Sequence, residues 1–186
     1  ASIDANRWQD KALYPVDISH PGAPALPFYP VRVLLPYGEK IEGVELSLSG
    51  SSTLRSAVDL DYIREQQPIS KPTADNTRKD LSIYNQDRAY PYVDFEYLGC
   101  QYYRGYQIAV INIYAFKYNP VSRQLTGNTS FSLDLATVDD PQIAAYQANF
   151  VSTDPVTLKE LRDMAINTEA ISSYSSAASN RSHSPQ

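Results

Sequence analysis

The chain holds one cysteine, Cys100, and two histidines, His20 and His183. A nucleophilic thiol needs a base at hydrogen-bond distance and a depressed pKa, so Cys100 with either histidine is the first chemistry to test. Neither base suits the task. His20 lies in a proline-rich lead and His183 in a serine-rich end. Cys100 follows Leu98-Gly99 in an aromatic run, the setting of a buried small hydrophobe. One thiol and two distant imidazoles also lack the ligand spacing of a zinc site. Asp59 and Asp61 flank Leu60, but the further oxygen ligands and the glycine of a calcium loop are missing. They read as solvent-facing carboxylates. No catalytic residue, metal or cofactor is expected. Two residue classes remain. Tyr90, Tyr92, Tyr97, Tyr102, Tyr103 and Tyr106 crowd one stretch; exposed rings stack on sugars, although in β-sandwiches they more often form core or cross-strand pairs. The second class is the basic residues of predicted loops, Lys71, Arg78, Lys79 and Arg104.

The elements that must position these residues are mostly strands. Pro21, Pro24, Pro27 and Pro30 with Gly22 forbid a helix and favour a stiff, extended lead. Val31, Val33 and Leu35 then alternate as the first well-formed strand, closed by the turn Pro36-Tyr37-Gly38. Val44, Leu46 and Leu48 mark a second, half-buried strand. Gly50-Ser51-Ser52 turns the chain into an extended segment over 53–63, with a bulge or break expected near Ser56-Ala57. Residues 64–89 show little pattern, and loops that long in compact domains are usually functional. Ile83 and Tyr84 are expected to pin the far end of this loop. Residues 92–98 are extended again. Residues 107–116 are apolar on both faces, so they predict a central strand covered on both sides. After a turn at 119–122 the chain returns over 125–135, where Phe131, Leu133 and Leu135 alternate with polar residues.

Beyond Thr137 the pattern becomes helical. Asp140-Pro141 and Asp154-Pro155 each set an N-cap before a proline in the first helical position. Leu158, Leu161 and Ala165 give a short amphipathic helix that must pack on something. Trp8 and Leu13 are the expected anchors of a polar lead over 1–19. Seven serines mark 172–186 as a tail or linker.

Composition narrows the class. With 186 residues, 42% of them hydrophobic, the chain fits one domain with appendages and a real core. A net charge of −5 lacks the basic face that nucleic acid demands. No apolar run approaches the ~20 residues that span a bilayer, and the start carries no charged-then-apolar leader. A single cysteine forms no internal disulfide, which fits the cytosol and fits a secreted protein that relies on its core. The expected fold is all-β: an antiparallel β-sandwich over 20–137 with jelly-roll-like or Greek-key wiring. One or two short helices over 138–171 and the serine-rich tail follow.

The motif Gly22-x-Pro24-x-Leu26-Pro27 before the first strand resembles the start of the propeptide domain of gingipain-type cysteine peptidases. Arg104-Gly105-Tyr106 leading into an apolar strand, then Tyr118-Asn119-Pro120 and a strand ending near Leu135, resemble its second half. The similarity spans roughly residues 20–137. It implies a non-catalytic N-terminal prodomain that shields, inhibits and assists the folding of a cysteine peptidase. The implied partner is the catalytic domain of the same precursor, and the implied location is outside a bacterial cell or on its surface. Propeptides of this family block their enzyme by offering a loop residue to the pocket that selects Arg or Lys. Arg78 and Lys79, central in the long loop, meet that description best and are also candidate cleavage points. Lys71 precedes a proline, which hinders cleavage after it. Arg104 carries the family-like motif, yet Arg-Gly at a strand entrance also reads as a plain turn. The alternative is a surface adhesion or carbohydrate-binding β-sandwich module that uses the same tyrosines.

Overall fold

The computed structural model describes residues 2–5, 16–67, 70 and 76–175. Three antiparallel three-stranded sheets carry the architecture. The first orders β1 (Ser2–Ala5), β9 (Ser130–Asp139) and β3 (Glu39–Ser49), with β9 in the middle. The second orders β2 (Tyr29–Leu34), β6 (Tyr106–Ile113) and β5 (Phe95–Tyr103). A smaller third sheet joins β4 (Ser52–Arg55), β8 (Gln124–Gly127) and β7 (Phe116–Asn119). Three short helices, α1 (Leu81–Tyr84), α2 (Pro141–Phe150) and α3 (Pro155–Met164), complete the labelled elements. A 3-10 turn, Thr168–Ala170, runs on into helical residues 171–175. The expected all-β antiparallel sandwich with short C-terminal helices is what the chain adopts.

The period-two patterns create the first core. Phe131, Leu133 and Leu135 of β9 turn inward with Val31 and Val33 of β2 and Ala109, Ile111 and Ile113 of β6. Both faces of β6 are covered, as its sequence predicts. On the other face Tyr106 and Ile108, with Leu34 of β2, pack against Leu161, Ala165, Ile171 and Tyr174. The second sheet is therefore sandwiched between the first sheet and the C-terminal helices. Each such large apolar side chain contributes about 1.5–3 kcal/mol when fully withdrawn from water. Leu161 and Ala165 are the buried residues of the expected amphipathic helix. Tyr174 is only 2% exposed, so the ordered fold reaches past residue 172, where the serine-rich stretch begins.

Two expected strands are divided in two. Residues 107–116 break at Tyr114-Ala115 and residues 125–135 break at Asn128-Thr129. At each break the chain leaves one sheet for another, and Asn128 fastens both corners. Its backbone N–H and its side-chain amide donate to the Ala115 carbonyl at 3.0 and 3.2 Å. The segment over 53–63 keeps strand geometry only to Arg55, breaking where expected. Ala57 there adopts a φ of 55°, the left-handed region that few side chains tolerate. The strand expected at 92–98 starts only at Phe95. The carbonyls of Pro91 and Val93 face the Lys117 ammonium instead of a neighbouring strand.

The two caps form as the sequence predicts. Asp140 accepts from the backbone N–H of Gln142 and Ile143, and Asp154 from that of Thr157. The edges of the second sheet differ from one another. Along β2, Ile166 N–H donates to the Arg32 carbonyl at 3.0 Å. The Asn167 amide then meets Leu34 as a strand would, accepting from its N–H and donating to its carbonyl, each at 2.8 Å. Asn167 is 4% exposed, so no water replaces it freely. Asn167→Ala leaves two buried backbone groups unpaired, and we expect urea unfolding to show a loss of about 2 kcal/mol. A loss under ~0.5 kcal/mol would mean that solvent reaches this edge.

Candidate functional site

The long loop is anchored at both ends on the proline-rich lead. Gly22 N–H donates to the Ile63 carbonyl at 2.8 Å, and Ile63 N–H donates to the Ala23 carbonyl at 2.9 Å. At the far end Asp80 N–H donates to the Gly22 carbonyl at 2.9 Å. Gly22 has a φ of 90°, and a Cβ there would lie 2.6 Å from the Arg78 carbonyl oxygen. Only glycine admits so close an approach, which gives the Gly-x-Pro-x-Leu-Pro motif a structural reason. Asp80 then caps α1 by accepting from Ser82 N–H. Ile83 closes a small cluster with Ala23 and Ile63, and Tyr84 and Tyr90 pack beside it. Ile83 and Tyr84 thus pin the loop as expected.

The anchor separates two adjacent basic residues. The Lys79 ammonium donates to Asp59 at 2.8 Å and sits 4.7 Å from the centroid of the Tyr84 ring. That hydrogen bond, then the charge behind it, holds the Asp59 carboxyl below its ordinary pKa. Arg78 is exposed. Lys71 lies outside the described residues, as do Trp8, Leu13 and His183.

Arg104 occupies a different setting. It forms, with Gly105, a two-residue hairpin between the paired residues Tyr103 and Tyr106 of β5 and β6. Both turn residues have positive φ, 47° and 86°, as a turn matched to the twist of the flanking strands requires. The Arg104 guanidinium donates to the Thr157 hydroxyl at 3.0 Å and lies 3.6 Å from the Asp154 carboxylate. Hydroxyl donors from Ser152 and Thr157, and further the Arg104 charge, hold the Asp154 carboxyl well below the usual range. Arg104 therefore ties the hairpin to the start of α3. It is not brought together with Arg78 and Lys79 by any described contact.

The tyrosine-rich stretch divides between core and surface. Tyr106 is buried in the helical layer, whereas Tyr97 and Tyr102 on β5 are 39% and 45% exposed. Tyr102 continues into an aromatic row, 4.7 Å from Tyr146, which is 4.6 Å from Phe150. Cys100 is half-buried against the sandwich core, its Sγ 3.2 Å from the Tyr97 hydroxyl. His20 is exposed beside Ser19 and Asp17. Among the described residues no group of three His, Cys, Asp or Glu is placed to hold a metal ion, and no helix is long and apolar enough to cross a membrane.

Several phenols titrate high. Burial, foremost, pushes Tyr84 up to about 12; burial and then the Cys100 hydrogen bond push Tyr97 up to about 12. Tyr114 and Tyr174 are raised as well, again first by burial. A folded pKa above the unfolded value of about 10 means that the fold favours the neutral phenol. Stability from these groups is complete below pH ~10 and is lost as pH rises through the folded values. We expect tyrosinate absorbance to appear together with alkaline unfolding. Ordinary titration of every phenol near pH 10 in a chain that stays folded would contradict the burial of Tyr114 and Tyr174.

The architecture, an antiparallel β-sandwich backed by a C-terminal helical layer and carrying one long anchored loop, defines a recognisable class of fold. No family model and no curated protein matches the chain. Solved structures do. The fold matches the complex of the pro- and mature domains of RgpB from Porphyromonas gingivalis with a TM-score of 0.60 at 16% identity, over 83% of this chain and 77% of that chain. It also matches the structure describing the zymogenic latency of gingipain K from the same organism, with a TM-score of 0.50 at 17% identity, over 63% of this chain and 68% of that one. At such identity the likeness establishes a shared fold.

Proposed function

We propose that the chain is a non-catalytic prodomain that shields and inhibits a gingipain-like cysteine peptidase and helps it to fold. The observation that carries this reading is the fold match over 83% of the chain to a structure of pro- and mature domains in complex. The exposed Arg78 on an anchored loop supports it, because a presented guanidinium suits an acidic specificity pocket. The partner is the catalytic domain of the same precursor, and the setting is the exterior or surface of a bacterial cell. Lys71 and Lys79 are the further inhibitory or cleavage candidates on the same loop. The test is to add the purified chain to a gingipain-type peptidase turning over a peptide substrate. Competitive inhibition at or below micromolar concentration is expected, and refolding of the denatured catalytic domain in its presence should recover more activity. No inhibition at high micromolar concentration would remove the reading.

The exposed row Tyr102, Tyr146 and Phe150 favours one second reading, an adhesion or carbohydrate-binding module. Saturable binding on a glycan array that disappears with Tyr102→Ala would replace the first reading with this one.

A further inference from the structure

A cleft of about 510 Å³ opens between the proline-rich lead, α1 and the entry to β5. Its apolar lining includes Leu26, Ile63, Ile83 and Phe95, and its polar lining includes the carboxylates of Asp17, Asp80 and Glu96. No lysine or arginine among the described residues lines it. The three acids differ from the acids that ion pairs engage. Asp59, Asp61, Asp94, Asp140, Asp154 and Asp163 each have a Lys or Arg partner within 4 Å. Among the described residues, the partners of the cleft carboxylates are neutral donors and one imidazole. Asp17 accepts from Ser19 N–H at 2.9 Å, with His20 Nδ1 at 4.0 Å. Asp80 accepts from Ser82 N–H at 2.9 Å and from its hydroxyl at 2.7 Å, and Glu96 accepts from the Tyr114 hydroxyl at 3.1 Å. A carboxylate offers about four lone-pair sites, so each keeps acceptor capacity.

Glu96 is exposed and Asp17 and Asp80 are partly buried, so three negative charges, screened by solvent, favour a cation at the cleft. Asp17 lies close enough to Tyr90 and Tyr114 to add to the raising of their phenols, which burial, and for Tyr114 then the Glu96 hydrogen bond, causes first. Tyr90, Tyr92 and Tyr114 also line the cleft, and aromatic side chains attract cations. Arg88, which does not line the cleft, already places its guanidinium 4.5 Å from the Tyr92 ring centroid.

We propose that this cleft binds an extended peptide segment of a partner protein, its arginine or lysine facing the three carboxylates and its apolar neighbours lying on Leu26, Ile83 and Phe95. The volume suits a ligand of several residues better than a lone side chain. The inference does not rest on the prodomain reading, and its test uses no peptidase.

The experiment titrates the full chain with acetyl-Leu-Arg-Phe-amide, its lysine and glutamate counterparts, and argininamide, followed by calorimetry and by backbone amide shifts. The arginine and lysine peptides should bind with roughly micromolar to millimolar Kd, moving the amides of Ile83, Phe95 and Tyr114. Binding should weaken with added salt. Glu96→Gln and Asp17→Asn keep an acceptor for Tyr114 and Ser19, and each should weaken binding roughly threefold to tenfold. Equal binding of the glutamate peptide, a salt-independent Kd, or shifts confined to another face would overturn the proposal. Argininamide binding as tightly as the tripeptide would also overturn it, assigning the cleft to small cations. Should either variant fail to fold, the salt series and peptide comparison on the unaltered chain still decide.

Discussion

Replacing Arg78 with alanine should weaken inhibition of an Arg- or Lys-selective gingipain-type peptidase about a hundredfold, ~2.7 kcal/mol, without changing the stability of the chain. The magnitude follows from what is left behind. A specificity pocket that closes on a guanidinium strips water from its own acid, and truncating the cation leaves that acid buried and unpaired. The unchanged stability follows from Arg78 lying exposed on the loop, away from the ion pair that engages its neighbour. Lys79→Ala supplies the contrast. It removes the bond to Asp59 and the contact with Tyr84, both weak at an exposed site, and should leave inhibition within a few-fold of the parent. Arg78→Lys tests selectivity, since a bidentate pocket does not accept a point charge as its equal. The decisive measurement is the inhibition constant of each variant beside its urea midpoint. Equal inhibition by Arg78→Ala and the parent would remove the loop from the inhibitory mechanism while leaving the fold likeness intact.

The division between Arg78 and Lys79 also shows where sequence reasoning reaches its limit. Alternation located the inward faces of β2, β6 and β9 because a two-residue period has one physical cause, a sheet with a buried side. The N-caps Asp140 and Asp154 were equally legible, since proline in the next position leaves few other conformations. The breaks at Tyr114-Ala115 and Asn128-Thr129 were not. Both runs stay strand-like across the break, and only the tertiary arrangement decides which sheet each half joins. Asn167 carries no local signal either; it completes β2 from more than a hundred residues away. Of the basic candidates, the sequence placed Arg78 and Lys79 first and on equal terms, with Arg104 also readable as a plain turn. The partners, Asp59 for Lys79 and Asp154 for Arg104, lie on other segments, so only the fold shows which side chains are already engaged. The cleft acids Asp17, Asp80 and Glu96 belong to three separate elements and form no motif.

Gly105→Ala should destabilise the chain by about 3 kcal/mol or more. Two effects add. A residue with a side chain at a φ of 86° meets left-handed strain of roughly 1–2 kcal/mol. The new Cβ would also lie 2.4 Å from the Val151 nitrogen and 2.5 Å from the Phe150 carbonyl carbon. Both are backbone atoms, so no rotamer change relieves the overlap, and the β5–β6 hairpin must retreat from the link between α2 and α3. That retreat strains three attachments: the bond from Ser152 N–H to the Arg104 carbonyl, the bond from the Tyr106 hydroxyl to the Ser152 carbonyl, and the contact of Arg104 with Asp154. The helical layer covering Tyr106 and Ile108 would loosen with it. For a domain of this size the thermal midpoint should fall by roughly 6–12 °C. Arg104→Ala discriminates the causes: it removes the exposed ion pair, the bond to the Thr157 hydroxyl and the contact with the Tyr103 ring without touching the backbone approach, and should lower the thermal midpoint far less. If Gly105→Ala costs no more than Arg104→Ala, the hairpin is not seated against the α2–α3 link. If it costs several times more, the glycine of the Arg-Gly-Tyr motif is fixed by that backbone contact, and the motif marks the joint between the sandwich and its helical layer.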